Sequence, residues 1–232
     1  MMIKENIRTV LAGIETACRK GGRVAKDITV VGVTKNVPLK MIQEAIDAGI
    51  GHIAENRVQE AQMKFPLLLK QNPHIKAHLI GHLQTNKAKD AIQVSSLIQS
   101  VDSLKLAQEI EKQAAKTGGT VEILVQFNTA REEQKFGAAP QEACVLIESI
   151  SGLRHVRVKG LMCMAPYTED EGKIRKTFSD LRAVKEEIQS RFAGHPGVDV
   201  GILSMGMTSD YQIAIEEGST MVRLGRAIFK ED

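Results

Sequence analysis

Eight short runs of β-branched and aliphatic residues recur along this chain, and helix-patterned segments separate most of them. The runs occupy 28–35, 51–55, 77–82, 97–101, 121–127, 158–164, 202–207 and 221–224. A two-residue period that keeps giving way to a helical one limits the choice of fold, because strands joined through helices run parallel. The helical segments are one-faced. Ile3, Ile7, Val10, Leu11, Ile14 and Cys18 share a face before Gly21-Gly22. Leu39, Ile42, Ala45 and Ile46 follow Pro38, and Gly49 stops them. Ser103 caps a helix carrying Leu104, Ala107, Ile110 and Ala114, and Pro140 opens another with Ala143, Ile147 and Ile150. The clearest pattern is Ile174, Phe178, Leu181, Val184, Ile188 and Phe192, ended by Gly194. Eight strand–helix units in 232 residues predict an α/β fold: a (β/α)8 TIM-type barrel with an extra N-terminal helix. A doubly wound open sheet is the competitor. No linker or composition shift divides the chain, so 1–232 reads as a single domain.

Composition narrows the partners. A net charge of +3, with basic and acidic residues mixed along the chain, gives no polyanion-binding tract. Aromatics make up 3% with no Trp, too few for a platform on which nucleic-acid bases stack. No nucleic-acid partner is therefore expected. No apolar run is long enough to span a bilayer, and the N-terminus lacks a signal-peptide core. Cys18, Cys144 and Cys163 are odd in number and widely spaced, which suits free thiols in a reducing cytoplasm. No exposed apolar stripe is evident, and a monomer is expected.

In a barrel of this kind the chemistry sits at the C-terminal ends of the strands. Strand one there ends in Lys35, after a segment in which five of six residues, Ile28 to Val33, are β-branched. An amine at the mouth of an apolar core is poorly solvated, desolvation disfavours its ammonium form, and a neutral amine attacks aldehydes and ketones. Taken alone, the segment fits a snorkelling lysine better. Strand seven leads into Ser204-Met205-Gly206-Met207-Thr208, and strand eight into Arg223-Leu224-Gly225-Arg226. Ser204 and Thr208 offer hydroxyls, Gly206 and Gly225 allow backbone amides to approach an anion, and Arg226 adds charge, together forming a phosphate cradle. A Schiff-base lysine facing a phosphate cradle matches pyridoxal 5′-phosphate (PLP), which carries both an aldehyde and a phosphate. Arg223 can then point from strand eight at the pyridine nitrogen and keep it unprotonated. A cofactor-free aldolase acting on a sugar phosphate would use the same lysine and cradle.

The chain resembles the pyridoxal phosphate homeostasis proteins, relatives of the N-terminal barrel of alanine racemases. The resemblance rests on Val31-Gly32-Val33-Thr34-Lys35, Ala54-Glu55-Asn56-Arg57-Val58-Gln59-Glu60 and His78-Leu79-Ile80-Gly81-His82-Leu83-Gln84-Thr85-Asn86-Lys87. It continues through Val158-Lys159-Gly160-Leu161-Met162, Ser204 to Asp210, and Gly218 to Phe229, and so covers nearly the whole chain. It departs at Ala54 and Lys230, where the family usually has Gly. The resemblance implies that Lys35 holds PLP as a Schiff base and that Asn56 lies near the cofactor. It also implies that Ser204 and the Gly225 loop hold the phosphate, and that Arg223 meets the pyridine nitrogen. It further implies a role in PLP homeostasis, with PLP-dependent apo-enzymes as recipients, and an unprotonated pyridine nitrogen beside Arg223 leads us to expect no amino-acid turnover. A PLP-dependent amino-acid racemase is the alternative. Racemisation needs a base on each face of the cofactor, and alanine racemases take the second, a tyrosine, from a further domain; the tyrosines here are Tyr167 and Tyr211.

Other residues read more plainly. His74, His78 and His82 are four apart, but Pro73 and Gly81 break a continuous helix, so no metal site is expected. Glu55 reads as solvated or capping, Met162 and Cys163 as barrel packing, and no residue is assigned as catalytic.

Overall fold

The computed structural model describes residues 2–132 and 134–230. Its strands are β1 (Thr29–Val33), β2 (His52–Glu55), β3 (Lys76–Leu79), β4 (Leu97–Val101), β5 (Val121–Gln126), β6 (Val156–Met162), β7 (Val198–Ser204) and β8 (Met221–Leu224). Each pairs in parallel with the next, and β8 returns to β1, closing a barrel in sequence order. Helix α1 (Met2–Lys20) precedes β1. Helices α2 (Leu39–Asp47), α3 (Val58–Gln71), α4 (Ala88–Val94), α5 (Leu104–Thr117), α6 (Ala143–Ser151), α7 (Glu171–Arg191), α8 (Tyr211–Glu216) and α9 (Arg226–Phe229) follow β1 to β8 in turn. The closed TIM-type barrel with its N-terminal helix is the architecture the alternating periods predict. Among the described residues no helix is long and apolar enough to cross a membrane.

Local chemistry sets the helix ends. Ser103 Oγ accepts from Leu106 N at the start of α5, and Gly118 closes that helix at φ +67°. Asp170 does the same for Lys173 N at the start of α7. Two elements differ from the sequence pattern. Helix α3 carries Pro66 in its interior, and its periodicity alone does not announce it. Strand β7 begins at Val198, four residues before its apolar run: Val198 and Val200 are buried while Asp199 and Gly201 face outward, a two-residue period broken into single apolar residues. Asp199 is accommodated by Lys159 of β6 at 2.6 Å.

Closure separates two cores. Outward-facing strand residues such as Ile53, Leu79, Ile123 and Val222 pack under Ile14, Ile42, Phe65, Ile110 and Phe178 of the helices. Inside the barrel, Val31, Ala54, Leu97, Leu124, Met162 and Met221 form a smaller apolar cluster. The interior also buries His78, Gln99, Ser204 and Arg223, where such barrels mostly stack branched aliphatic side chains. The spacing of His74, His78 and His82 dissolves here: His78 enters the barrel beside His52, whereas His82 reaches the mouth and stacks on Phe136.

Candidate ligand site at the barrel mouth

A cavity of about 510 Å³ opens at the C-terminal end of the barrel. Its lining brings together Lys35, Asn56, Arg223, Gly225 and Arg226 from strand ends β1, β2 and β8. Thr208 and Ser209 join from the β7–α8 loop. Lysine and arginine side chains face this space, and among the described residues no carboxylate lines it. An anionic ligand matches that field.

Lys35 sits on a tight turn after β1. Val37 N donates to Thr34 O at 3.0 Å, and Asn36 takes φ +58°, a conformation asparagine tolerates well. The turn is clamped from α3: Lys64 Nζ donates to Thr34 O at 2.8 Å, to Glu55 Oε1 at 2.7 Å and to Glu60 Oε2 at 3.1 Å. Thr34 Oγ1 donates to the same Glu55 oxygen at 2.7 Å. Glu55 is fully buried. It is therefore neither solvated nor a cap, as its sequence context suggests, but one half of a buried ion pair with a cation nine residues downstream. The Lys35 side chain is itself exposed, so the desolvation expected from its apolar strand is absent. What the protein supplies is position, an amine on a braced turn facing the cavity.

Asn56 is half-buried where β2 passes Gly81. A Cβ on Gly81 would lie 2.1 Å from Asn56 O, so only glycine lets the two backbones approach this closely. Arg223 is 4% exposed and reaches the cavity floor. Its Nη1 donates to Ser204 O and Oγ, each at 2.7 Å, and its Nη2 to Cys163 O at 2.8 Å. Burial pushes the Cys163 thiol up to about 11, so it stays protonated and is no nucleophile.

Two residues expected at the phosphate cradle lie elsewhere. The Ser204 hydroxyl is fully buried, donates to Gln99 Oε1 at 2.6 Å and accepts from Arg223, so it supports the arginine and does not line the cavity. It is the last residue of β7 and points into the barrel, a direction set by the strand's alternation. Gly206 is also buried. At φ +98°, with a would-be Cβ 2.6 Å from Ala214 Cβ, it shapes the turn into α8. The hydroxyls at the cavity come from Thr208 and Ser209. Thr208 Oγ1 accepts from Ala227 N at 3.3 Å, which ties the β7–α8 loop to α9. Asp210, buried so that its carboxyl is pushed up, accepts from Met207 N at 2.5 Å and braces the same loop.

The mouth also holds residues that periodicity did not reveal. His82 and Phe136 stack at 3.8 Å with their planes 12° apart, and Tyr167 projects beside them, 97% exposed. In a chain with 3% aromatics, aromatic residues in the loops after β5 and β6 were the available signal.

A parallel barrel with a lysine on the turn after strand one and an arginine inside strand eight defines a protein class, and the match is direct: the model of the alanine racemase N-terminal domain family covers residues 12–232. The chain belongs to this family and, within it, to the pyridoxal phosphate homeostasis proteins. The curated protein of that name from Aquifex aeolicus is 37% identical over 227 residues, covering 98% of this chain and 97% of its own. The one from Vibrio cholerae is 34% identical, covering 99% and 96%. Synechococcus elongatus PipY, solved with PLP bound, superposes with a TM-score of 0.84 at 31% identity, covering 98% of this chain and 100% of its own. An alanine racemase from Clostridium difficile shares the fold with a TM-score of 0.77 at 17% identity, and this chain spans 57% of it.

Proposed function

We propose that this chain binds PLP at the barrel mouth and serves in PLP homeostasis by buffering the compound and passing it to PLP-dependent apo-enzymes. The observation that carries this reading is a cavity that sets a lysine amine and a buried arginine around one space that no carboxylate lines among the described residues. The volume and donor set fit a small aromatic phosphate. PLP would supply an aldehyde with which the Lys35 amine could condense, losing one water. Thr208, Ser209 and the Gly225–Arg226 turn would hold the phosphate through hydroxyls, amides and charge, and Asn56 would lie beside the ring. Arg223, a donor without an acceptor, would face the pyridine nitrogen and keep it unprotonated. That weakens the ring as an electron sink and suits a carrier better than a catalyst of α-carbon chemistry. The three free cysteines agree with a cytoplasmic setting.

The purified protein is expected to be yellow, and borohydride to fix a PLP-sized mass on the peptide containing Lys35. A K35A protein that keeps the same visible band would overturn the assignment. Incubation of PLP-loaded protein with L-alanine separates carrier from racemase. D-alanine formed at about 1 per second, the low end for ordinary enzymes, and lost in K35A would favour the racemase.

A further inference from the structure

Five side chains cross the barrel interior in one hydrogen-bonded line. Arg223 Nη1 donates to Ser204 Oγ at 2.7 Å. Ser204 Oγ donates to Gln99 Oε1 at 2.6 Å. Gln99 Nε2 meets His78 Nδ1 at 2.7 Å, and His78 Nε2 meets His52 Nδ1 at 3.0 Å. Arg223, Ser204, Gln99 and His78 are buried; His52, at the start of β2, is half-buried.

With Gln99 Oε1 toward Ser204 and Nε2 toward His78, the donor inventory gives this line one direction. The guanidinium only donates, so Ser204 Oγ accepts there and spends its own proton on Gln99 Oε1. The Gln99 amide then presents N–H to His78, whose Nδ1 must be bare. A neutral His78 therefore carries its proton on Nε2 and gives it to His52 Nδ1, which leaves the His52 proton on Nε2. Each donor faces an acceptor, and a cation stands at the head of the line, so the bonds polarise one another in the same sense. Reversing the Gln99 amide would take away the acceptor of the Ser204 hydroxyl proton and put the His78 proton on Nδ1.

A buried polar chain is costly unless every member is satisfied, and aliphatic side chains would fill this interior more simply. We propose that Gln99 and His78 are positioning residues for Arg223: they hold Ser204 Oγ as an acceptor aimed at Nη1. Three guanidinium N–H groups are thereby held by Ser204 O, Ser204 Oγ and Cys163 O, and the remaining two are left for the cavity. What those two meet rests on the PLP reading above; the positioning itself does not.

Two measurements test it. In ligand-free wild-type protein at neutral pH, ¹⁵N NMR of labelled histidine is expected to show His78 and His52 as neutral Nε2–H tautomers. A His78 proton on Nδ1 overturns the proposal, whether or not any variant folds. Next, Q99M and H78L are expected to broaden the Arg223 guanidinium resonances and to speed PLP release about three- to tenfold, the scale of one lost hydrogen bond. H78N, whose Oδ1 can accept from Gln99, is expected to release PLP within about twofold of the wild-type rate. Unchanged Arg223 resonances in Q99M overturn the proposal. Wild-type protein that takes up no PLP would sink the functional reading alone, because the tautomers and the Arg223 resonances are read without ligand.

Discussion

Lys64 decides where Lys35 stands. It neutralises Glu55, which is fully buried and whose Oε2 already lacks a partner, while bonding the carbonyl that precedes Lys35. K64M would leave that carboxylate buried with only the Thr34 hydroxyl. Removing one member of a buried pair costs about 3–5 kcal/mol, so a clear fall in the urea midpoint is expected, partly recovered in the double variant E55Q/K64M. A midpoint unchanged in K64M would show that the pair is not buried in solution. A second residue-scale effect comes from His78, which burial, then His52 and Lys76, hold at about 3 instead of 6.5. The unfolded chain takes up this proton first, so between about pH 6.5 and 3 stability falls as pH falls, by about 1.4 kcal/mol per unit. Burial shifts His52 in the same direction. A loss of about 2 kcal/mol between pH 6.5 and 5 is expected from His78, and H78N should flatten the profile. Equal profiles for H78N and wild type would refute the assignment.

Elements place these residues through strand ends and the turns that follow them. The periodicities of α1, α2, α5, α6 and α7 are legible because each buries one stripe against the barrel. Strand β7 is less legible: only Val198 and Val200 of its first four residues are buried, and the exposed Asp199 between them pairs with Lys159, a partner that no local pattern shows. The approach of Gly81 to Asn56 is equally hidden, since it joins the end of β2 to the chain leaving β3. G81A would push the Asn56 backbone away from a Cβ otherwise 2.1 Å from its oxygen. Stability should drop by about 1–3 kcal/mol, the range for forced strain in a packed core, and PLP should be retained less well. Thermal melts and equilibrium dialysis check the two effects. A variant with wild-type values in both would mean that the strand ends adjust freely.

For the molecule as a whole, closure gathers the ends of seven of the eight strands, all but β4, around one cavity. A ligand that binds only the folded state stabilises it by mass action, by about 2.7 kcal/mol at a hundredfold excess over the dissociation constant. PLP is therefore expected to raise the melting temperature, and pyridoxal, which lacks the phosphate, to raise it less. Equal shifts for the two would remove the phosphate cradle from the reading. The sequence by itself determined the βα alternation, the barrel, the lysine at the end of β1 and the arginine within β8. These follow from local periodicity and from the residue types at strand ends, and the family motifs carry the same information. The direction of Ser204, the burial of Glu55 and the line from Arg223 to His52 were settled only by the tertiary structure. Each depends on which strands become neighbours when β8 meets β1, and on whether a side chain then faces the barrel interior, the helices or the mouth. A polar residue's partner is chosen by that geometry, and residues 19 to 122 positions apart in the chain carry no local mark of it.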